Sequence, residues 1–147
     1  MNLRFLLCLL ILFSTGCSMP RVIVLNDPLD SRQHNDLGAA YEARGESDLA
    51  LREYRQAARL DKTWDLPLIN QGNVLAGLED WKGAEDSYRD ALDRNPENAE
   101  AMNNLAWVLL QQGRRDEART LAEQAIDACP DNPAFRDTLN RTIQDPP

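Results

Sequence analysis

Residues 99–132 read AEAMNNLAWVLLQQGRRDEARTLAEQAIDACPDN, and this stretch decides the fold. Leu105, Val108 and Leu109 in its first half, then Ala118, Ala122 and Ala125 in its second, recur at three- and four-residue spacing, the period of an α-helix with one buried stripe. Gly113 stands between the two runs and Pro130 follows the second, so the first helix closes at a residue free to turn left-handed and the second cannot continue. The stretch is therefore a pair of helices joined by a tight turn. Sliding the chain against itself by 34 residues aligns two further segments with it, 31–64 and 65–98, without a gap. Small residues recur at the eighth place (Gly38, Gly72, Ala106), the twentieth (Ala50, Ala84, Ala118) and the twenty-seventh (Ala57, Ala91, Ala125), where two helices would touch. Large ones stand at the eleventh place (Tyr41, Leu75, Leu109) and, in the first two segments, at the twenty-fourth (Tyr54, Tyr88, with Ala122 departing).

This register of small and large residues, with a turn glycine and a closing proline at a 34-residue period, resembles the tetratricopeptide repeat family across residues 31–132. Three departures stand out. Lys62 replaces the closing proline of the first segment, Glu79 the turn glycine of the second, and Gln71 puts a polar group at a normally apolar place. After the third segment, Asn132 and Pro133 give a helix cap and a first-turn proline, and Phe135, Leu139 and Ile143 follow at four-residue spacing. Residues 133–147 are accordingly a capping helix and tail, needed because a stack of repeats leaves an apolar face open at its end. The fold expected is all-α: a right-handed solenoid of three helix pairs plus one capping helix.

The resemblance implies a binding module rather than an enzyme, with a partner protein or peptide held on the inner wall formed by the first helix of each pair. The second, fifth, sixth, ninth and twelfth places project there. They supply Arg32, Asn35, Asp36, Ala39 and Glu42, then Leu66, Ile69, Asn70, Asn73 and Ala76, then Glu100, Asn103, Asn104, Trp107 and Leu110. An amide both donates to and accepts from a peptide backbone, so a row of asparagines suits an extended partner. Trp107 offers an anchor of the kind that dominates interfaces. Asn70, Asn73 and Asn104 are equally well read as braces between neighbouring helices, leaving Asn103 and Trp107 as the preferred binding residues. The carboxylate-clamping kind of such repeats needs several cations on this wall, and Arg32 alone is present.

Composition fits a single module. The chain has 147 residues, 43% of them hydrophobic and 27% charged, an ordinary globular balance. Its net charge of −8 repels a phosphate backbone, so no nucleic-acid partner is expected. One histidine, His34, and three cysteines offer neither a metal-ligand set nor a Cys/His nucleophile pair, so neither a cofactor nor enzymatic chemistry is expected. His34 reads as a structural residue, Cys129 as a small buried filler at a helix end, and Trp64 and Trp81 as packing residues. The four-residue spacings Glu85/Arg89 and Asp90/Arg94 read as a solvated, salt-bridged helix face.

The beginning of the chain carries an address. Arg4 precedes an apolar run over residues 5–13, and Ser14, Thr15, Gly16 and Cys17 follow, the order of an export signal spanning residues 1–16. The run is too short to span a hydrocarbon core roughly 30 Å thick. Gly16-Cys17 resembles the end of a bacterial lipobox, which implies acylation of Cys17 and, with Ser18 next, the periplasmic face of the outer membrane. Ser14 stands where that pattern prefers an aliphatic residue, so cleavage after Gly16 into a soluble secreted protein is the competing reading. Removing residues 1–16 leaves 15 basic against 24 acidic residues. Residues 17–30, with Val22, Ile23, Val24 and Leu25 before Asn26-Asp27-Pro28, form a tether.

The function expected is a membrane-anchored interaction adaptor or scaffold of the bacterial cell envelope. The design resembles small repeat lipoproteins that help assemble pili, secretins or wall-synthesis machinery. Asn103-Asn104-Leu105-Ala106-Trp107 carries a fainter likeness to repeat segments attached to exported C39-like peptidases. A soluble secreted helper of an export, pilus or peptidase system, or a carrier of a small hydrophobic ligand, are the alternatives. The partner, the pathway and the oligomeric state are left open by the sequence.

Overall fold

A computed structural model describes residues 28–144, so the export signal, Cys17 and most of the tether lie outside the described residues. Seven helices follow one another: α1 (Ser31–Ala43), α2 (Ser47–Leu60), α3 (Leu66–Gly77), α4 (Trp81–Arg94), α5 (Ala99–Gln111), α6 (Arg115–Ala128) and α7 (Pro133–Ile143). The described residues contain no strand. Each helix packs on the next, and α1 touches α3, α3 touches α5 and α5 touches α7, whereas α2, α4 and α6 do not meet one another. The odd-numbered helices are therefore the crowded inner row of a curved stack and the even-numbered ones its splayed outer row.

Local sequence explains the boundaries. Asp30 caps α1 by accepting from the Gln33 backbone N–H while the Gln33 side chain reaches back to the Asp30 N–H, a reciprocal box. Asp80, Asn98 and Asn132 cap α4, α5 and α7 in the same acceptor role. Gly45 (φ 75°) and Gly113 (φ 77°) make the turns inside the first and third pairs in the left-handed region. Glu79 occupies the same place in the second pair and adopts it too, at φ 60°, though it is not glycine. Its N–H donates to the Ala76 carbonyl and the next one, from Asp80, to Leu75, so the turn closes against the helix end and holds a conformation that costs about 1–2 kcal/mol.

The core is a seam of alanines with large side chains between them. Ala50, Ala84, Ala118, Ala57, Ala91 and Ala125 are all fully buried. A Cβ on Gly38 would stand 2.7 Å from the Tyr54 ring, and one on Gly72 only 2.5 Å from the Tyr88 ring, so glycine lets each aromatic lie against the neighbouring helix backbone. The third pair departs at both places together: Ala106 stands for glycine and Ala122 for tyrosine, and both are fully buried. The two departures answer each other.

The polar departures are matched as well. Gln71 donates from Nε2 to Ser87 Oγ (3.0 Å), which in turn donates to the Gly83 carbonyl. His34 is 1% exposed, and its Nδ1 lies 2.8 Å from Glu53 Oε2. In both cases a buried polar side chain on one helix meets its partner on the other helix of the same pair, so the inward-facing polar group is not stranded. Burial pushes the Glu53 carboxyl upward, but His34 and Arg52 outweigh it and hold the group below the usual carboxylate range.

Three sequence expectations are corrected here. Glu85 is 4% exposed rather than part of a solvated face, because Arg114, arriving from the α5–α6 turn, covers it. Arg94 makes no ion pair with Asp90 but donates to the carbonyls of Ala58 (3.0 Å), Asp61 (2.9 Å) and Trp64 (2.8 Å), tying the α2–α3 connection to α4. That connection lacks the proline that ends the second and third units, and the guanidinium satisfies the carbonyls at the end of α2 instead. Cys129 is exposed, not buried: it is the C-terminal cap of α6, at the start of the turn into α7.

Candidate functional site

The inner wall is built from α1, α3 and α5, and its asparagines are joined across the helices. Asn70 Nδ2 donates to Asn35 Oδ1 (3.0 Å), and Asn104 Nδ2 donates to Asn73 Oδ1 (3.1 Å). Asn73 Oδ1 also accepts from the Tyr88 hydroxyl at 2.7 Å. Asn70, Asn73 and Asn104 thus brace neighbouring helices, as one of the two readings of the sequence holds. Bracing does not exhaust Asn73, which is exposed and whose Nδ2 has no partner among the described residues.

A cleft of about 380 Å³ opens where α3, α4 and α5 meet, lined by Asn73, Ala76, Gly77, Tyr88, Asn103, Asn104 and Trp107. Trp107 stands edge-on to Trp81, the first residue of α4, with ring centres 5.5 Å apart and planes at 70°. That contact fixes the indole as one wall of the cleft and also makes it part of the packing between the second and third pairs. Ala76 and Gly77 leave the opposite side low. Asn103 is 9% exposed; its Nδ2 approaches Asn104 Oδ1 at 3.4 Å, and its Oδ1 is buried with no donor. An acceptor buried in that condition costs about 1–3 kcal/mol.

Of the residues predicted for the groove, Asn73, Asn103, Asn104 and Trp107 converge on this cleft. Arg32, Asn35 and Asn70 belong to the α1 end of the wall, and Leu110 is partly buried against the core. Ile69 does not face the groove at all: it is 1% exposed and belongs to the core. The reason is general, for Asn35 and Asn103 hold the same fifth place and are 7% and 9% exposed, so that place lies in the seam between helices. The repeat position of Tyr88 predicts only a packing role, yet the residue also lines the cleft. Burial, aided by the charge of Glu100, raises the Tyr88 phenol well above its ordinary value, so it stays a neutral hydrogen-bond donor. Among the described residues no three His, Cys, Asp or Glu side chains are grouped to hold a metal ion.

Family models described as tetratricopeptide repeat match residues 69–133 and 32–56. The chain belongs to the tetratricopeptide repeat family. Among curated tetratricopeptide repeat relatives, human tetratricopeptide repeat protein 8 is 38% identical over 61 residues, 42% of this chain and 11% of that one. The Hsp70-Hsp90 organising protein of Plasmodium falciparum is 28% identical over 85 residues, 58% of this chain and 34% of that one. The chain thus spans no more than about a third of these relatives. Two solved structures share the repeat fold at low identity. The first repeat domain of Spaghetti (RPAP3), bound to the HSP90 peptide SRMEEVD, is 18% identical with a TM-score of 0.76, over 82% of this chain and 96% of that one. The second such domain of human RPAP3, in complex with the HSP70 peptide SGPTIEEVD, is 16% identical with a TM-score of 0.75, over 78% and 96%.

Proposed function

We propose that this chain is a non-enzymatic adaptor that holds a partner protein by an extended segment laid along the α1–α3–α5 wall and anchored at the Trp107 cleft. The observation that carries this reading is the cleft itself: an indole wall and an exposed, unpaired amide donor on Asn73 stand within one depression. A peptide backbone presents the complementary carbonyl, and a side chain from it would fill the space over Ala76 and Gly77. Peptide binding by the structurally similar RPAP3 domains supports the same use of the fold.

The test is to truncate Trp107→Ala together with Asn103→Ala and to measure partner capture beside a thermal melt. Capture should weaken by at least about 2 kcal/mol, well below the melting transition. Some loss of melting temperature accompanies it, because Trp107 also packs on Trp81. Intact affinity in the folded double variant would move the binding surface elsewhere.

The same proposal places the adaptor at the bacterial envelope, attached through an acylated Cys17, on the strength of the apolar run and the Gly16-Cys17 pair in the sequence. Cys17→Ser should abolish labelling by a palmitate analogue and move the protein from the membrane pellet to the soluble fraction. A wild-type protein that is never labelled replaces this address with plain secretion.

A further inference from the structure

Among the described residues the inner wall is mostly acidic, and its carboxylates are left without a cation. Among the described residues, Asp36 and Glu100 make no ion pair, and Glu42 only accepts the Tyr54 hydroxyl (2.6 Å). Arg32 is the wall's single cation. On the outer row, among the described residues, some carboxylates are matched, Glu85 by Arg89 and Arg114, Glu117 by Arg114, Glu123 by Arg119 and Asp86 by Lys82, while others, such as Asp90 and Asp93, are not. The peptides carried by the structurally similar RPAP3 domains are acidic, with the run Glu-Glu-Val-Asp. On this wall such a run would face carboxylates of its own sign, within a protein whose net charge is −8.

From this we infer that the segment bound in the Trp107 cleft is basic: an apolar side chain seated against Trp107 and Tyr88, with a lysine or arginine a few residues away meeting Glu100. The inference rests on the groove reading above and adds the chemistry of the partner to it. Glu100, Asn103, Asn104 and Trp107 are spaced as successive turns of one helix face. At about 1.5 Å per residue, Glu100 and Trp107 are separated by about 10 Å along α5. That is the length of about three residues of an extended chain. Glu100 already acts electrostatically on Tyr88, so the acidic site and the aromatic cleft are neighbours.

The experiment titrates the full chain, in neutral detergent, with synthetic peptides of Gly and Ser that carry one Phe and a Lys spaced about three residues to either side of it. One control peptide has Glu for Lys, another Ala for Phe. The Lys peptide should bind at least about ten-fold more tightly than the Glu peptide at low salt, and the ratio should shrink as salt rises. Glu100→Gln should reduce that ratio without reducing affinity for the Glu peptide, while Trp107→Ala should weaken both peptides, with a melt confirming that each variant is folded. Equal or tighter binding of the Glu peptide, still lost in Trp107→Ala, overturns the basic partner and leaves the groove standing. Binding indifferent to Trp107→Ala and to the loss of Phe, or no binding of any peptide, overturns both.

Discussion

Tyr88→Ala is expected to lower the stability of the stack by about 3–5 kcal/mol in urea unfolding. The ring is 2% exposed and occupies the space that a side chain on Gly72 would need. Its removal therefore opens a void between α3 and α4 that neither helix can close without moving the alanine seam. The hydroxyl adds a smaller part: Tyr88→Phe should cost about 1 kcal/mol, the worth of the bond to Asn73. Gly72→Ala attacks the same contact from the other side. The added methyl would meet ring atoms at 2.5 and 2.8 Å, and the ring cannot slide away because its hydroxyl is held by Asn73, so a loss of about 1–3 kcal/mol follows. The decisive measurement is the double variant. With the ring gone the methyl has room, and the third pair already carries that solution as Ala106 with Ala122. Gly72→Ala with Tyr88→Ala should thus be less unstable than the two single losses added together, by about 0.5–3 kcal/mol. Strict additivity would mean that the glycine and the ring do not share one space.

The helices and their register could be read from the sequence because each unit repeats the same local choices, and the repetition separates them from accident. Even the turn at Glu79 could be placed without its glycine, since the flanking units fixed its position and neighbouring hydrogen bonds impose the left-handed backbone. The cleft could be read in part. Asn103 and Trp107 are visible by register, but the same register puts the fifth place on the open wall, and Ile69 shows that it falls in the seam. A register gives a direction around one helix and does not tell how closely the next helix covers it. Long-range polar contacts were not legible for a related reason. Arg94 to the Asp61 carbonyl and Arg114 to Glu85 join residues 33 and 29 places apart, close to one repeat, and nothing in the spacing of Glu85 and Arg89 announces a second cation.

That second cation makes Glu85 the other sensitive point. Its Oε1 accepts from Arg89 Nε (2.9 Å) and Arg114 Nη1 (2.8 Å), and its Oε2 accepts from Gln112 Nε2 (3.1 Å), so one carboxylate fastens the α5–α6 turn to α4. Burial alone would raise its pKa, but the bonds from Arg114, Arg89 and Gln112 outweigh that and bring it down to about 2. Glu85→Ala should therefore cost about 3 kcal/mol near neutral pH, the low end of what breaking a buried pair costs, because both arginines keep access to water and Arg114 keeps Glu117. The sign of the pH dependence follows from the depressed value. The carboxylate's contribution is complete above its unfolded value near 4.5 and is lost as pH falls through that window toward about 2. Urea unfolding at several pH values should show the gap between wild type and Glu85→Ala wide above about pH 5 and closing by about pH 2. Glu85→Gln keeps the shape and one acceptor, so it should recover part of the loss at neutral pH and show none of the extra acid sensitivity. A gap of constant width across that range would mean that Glu85 holds the turn by packing rather than by charge.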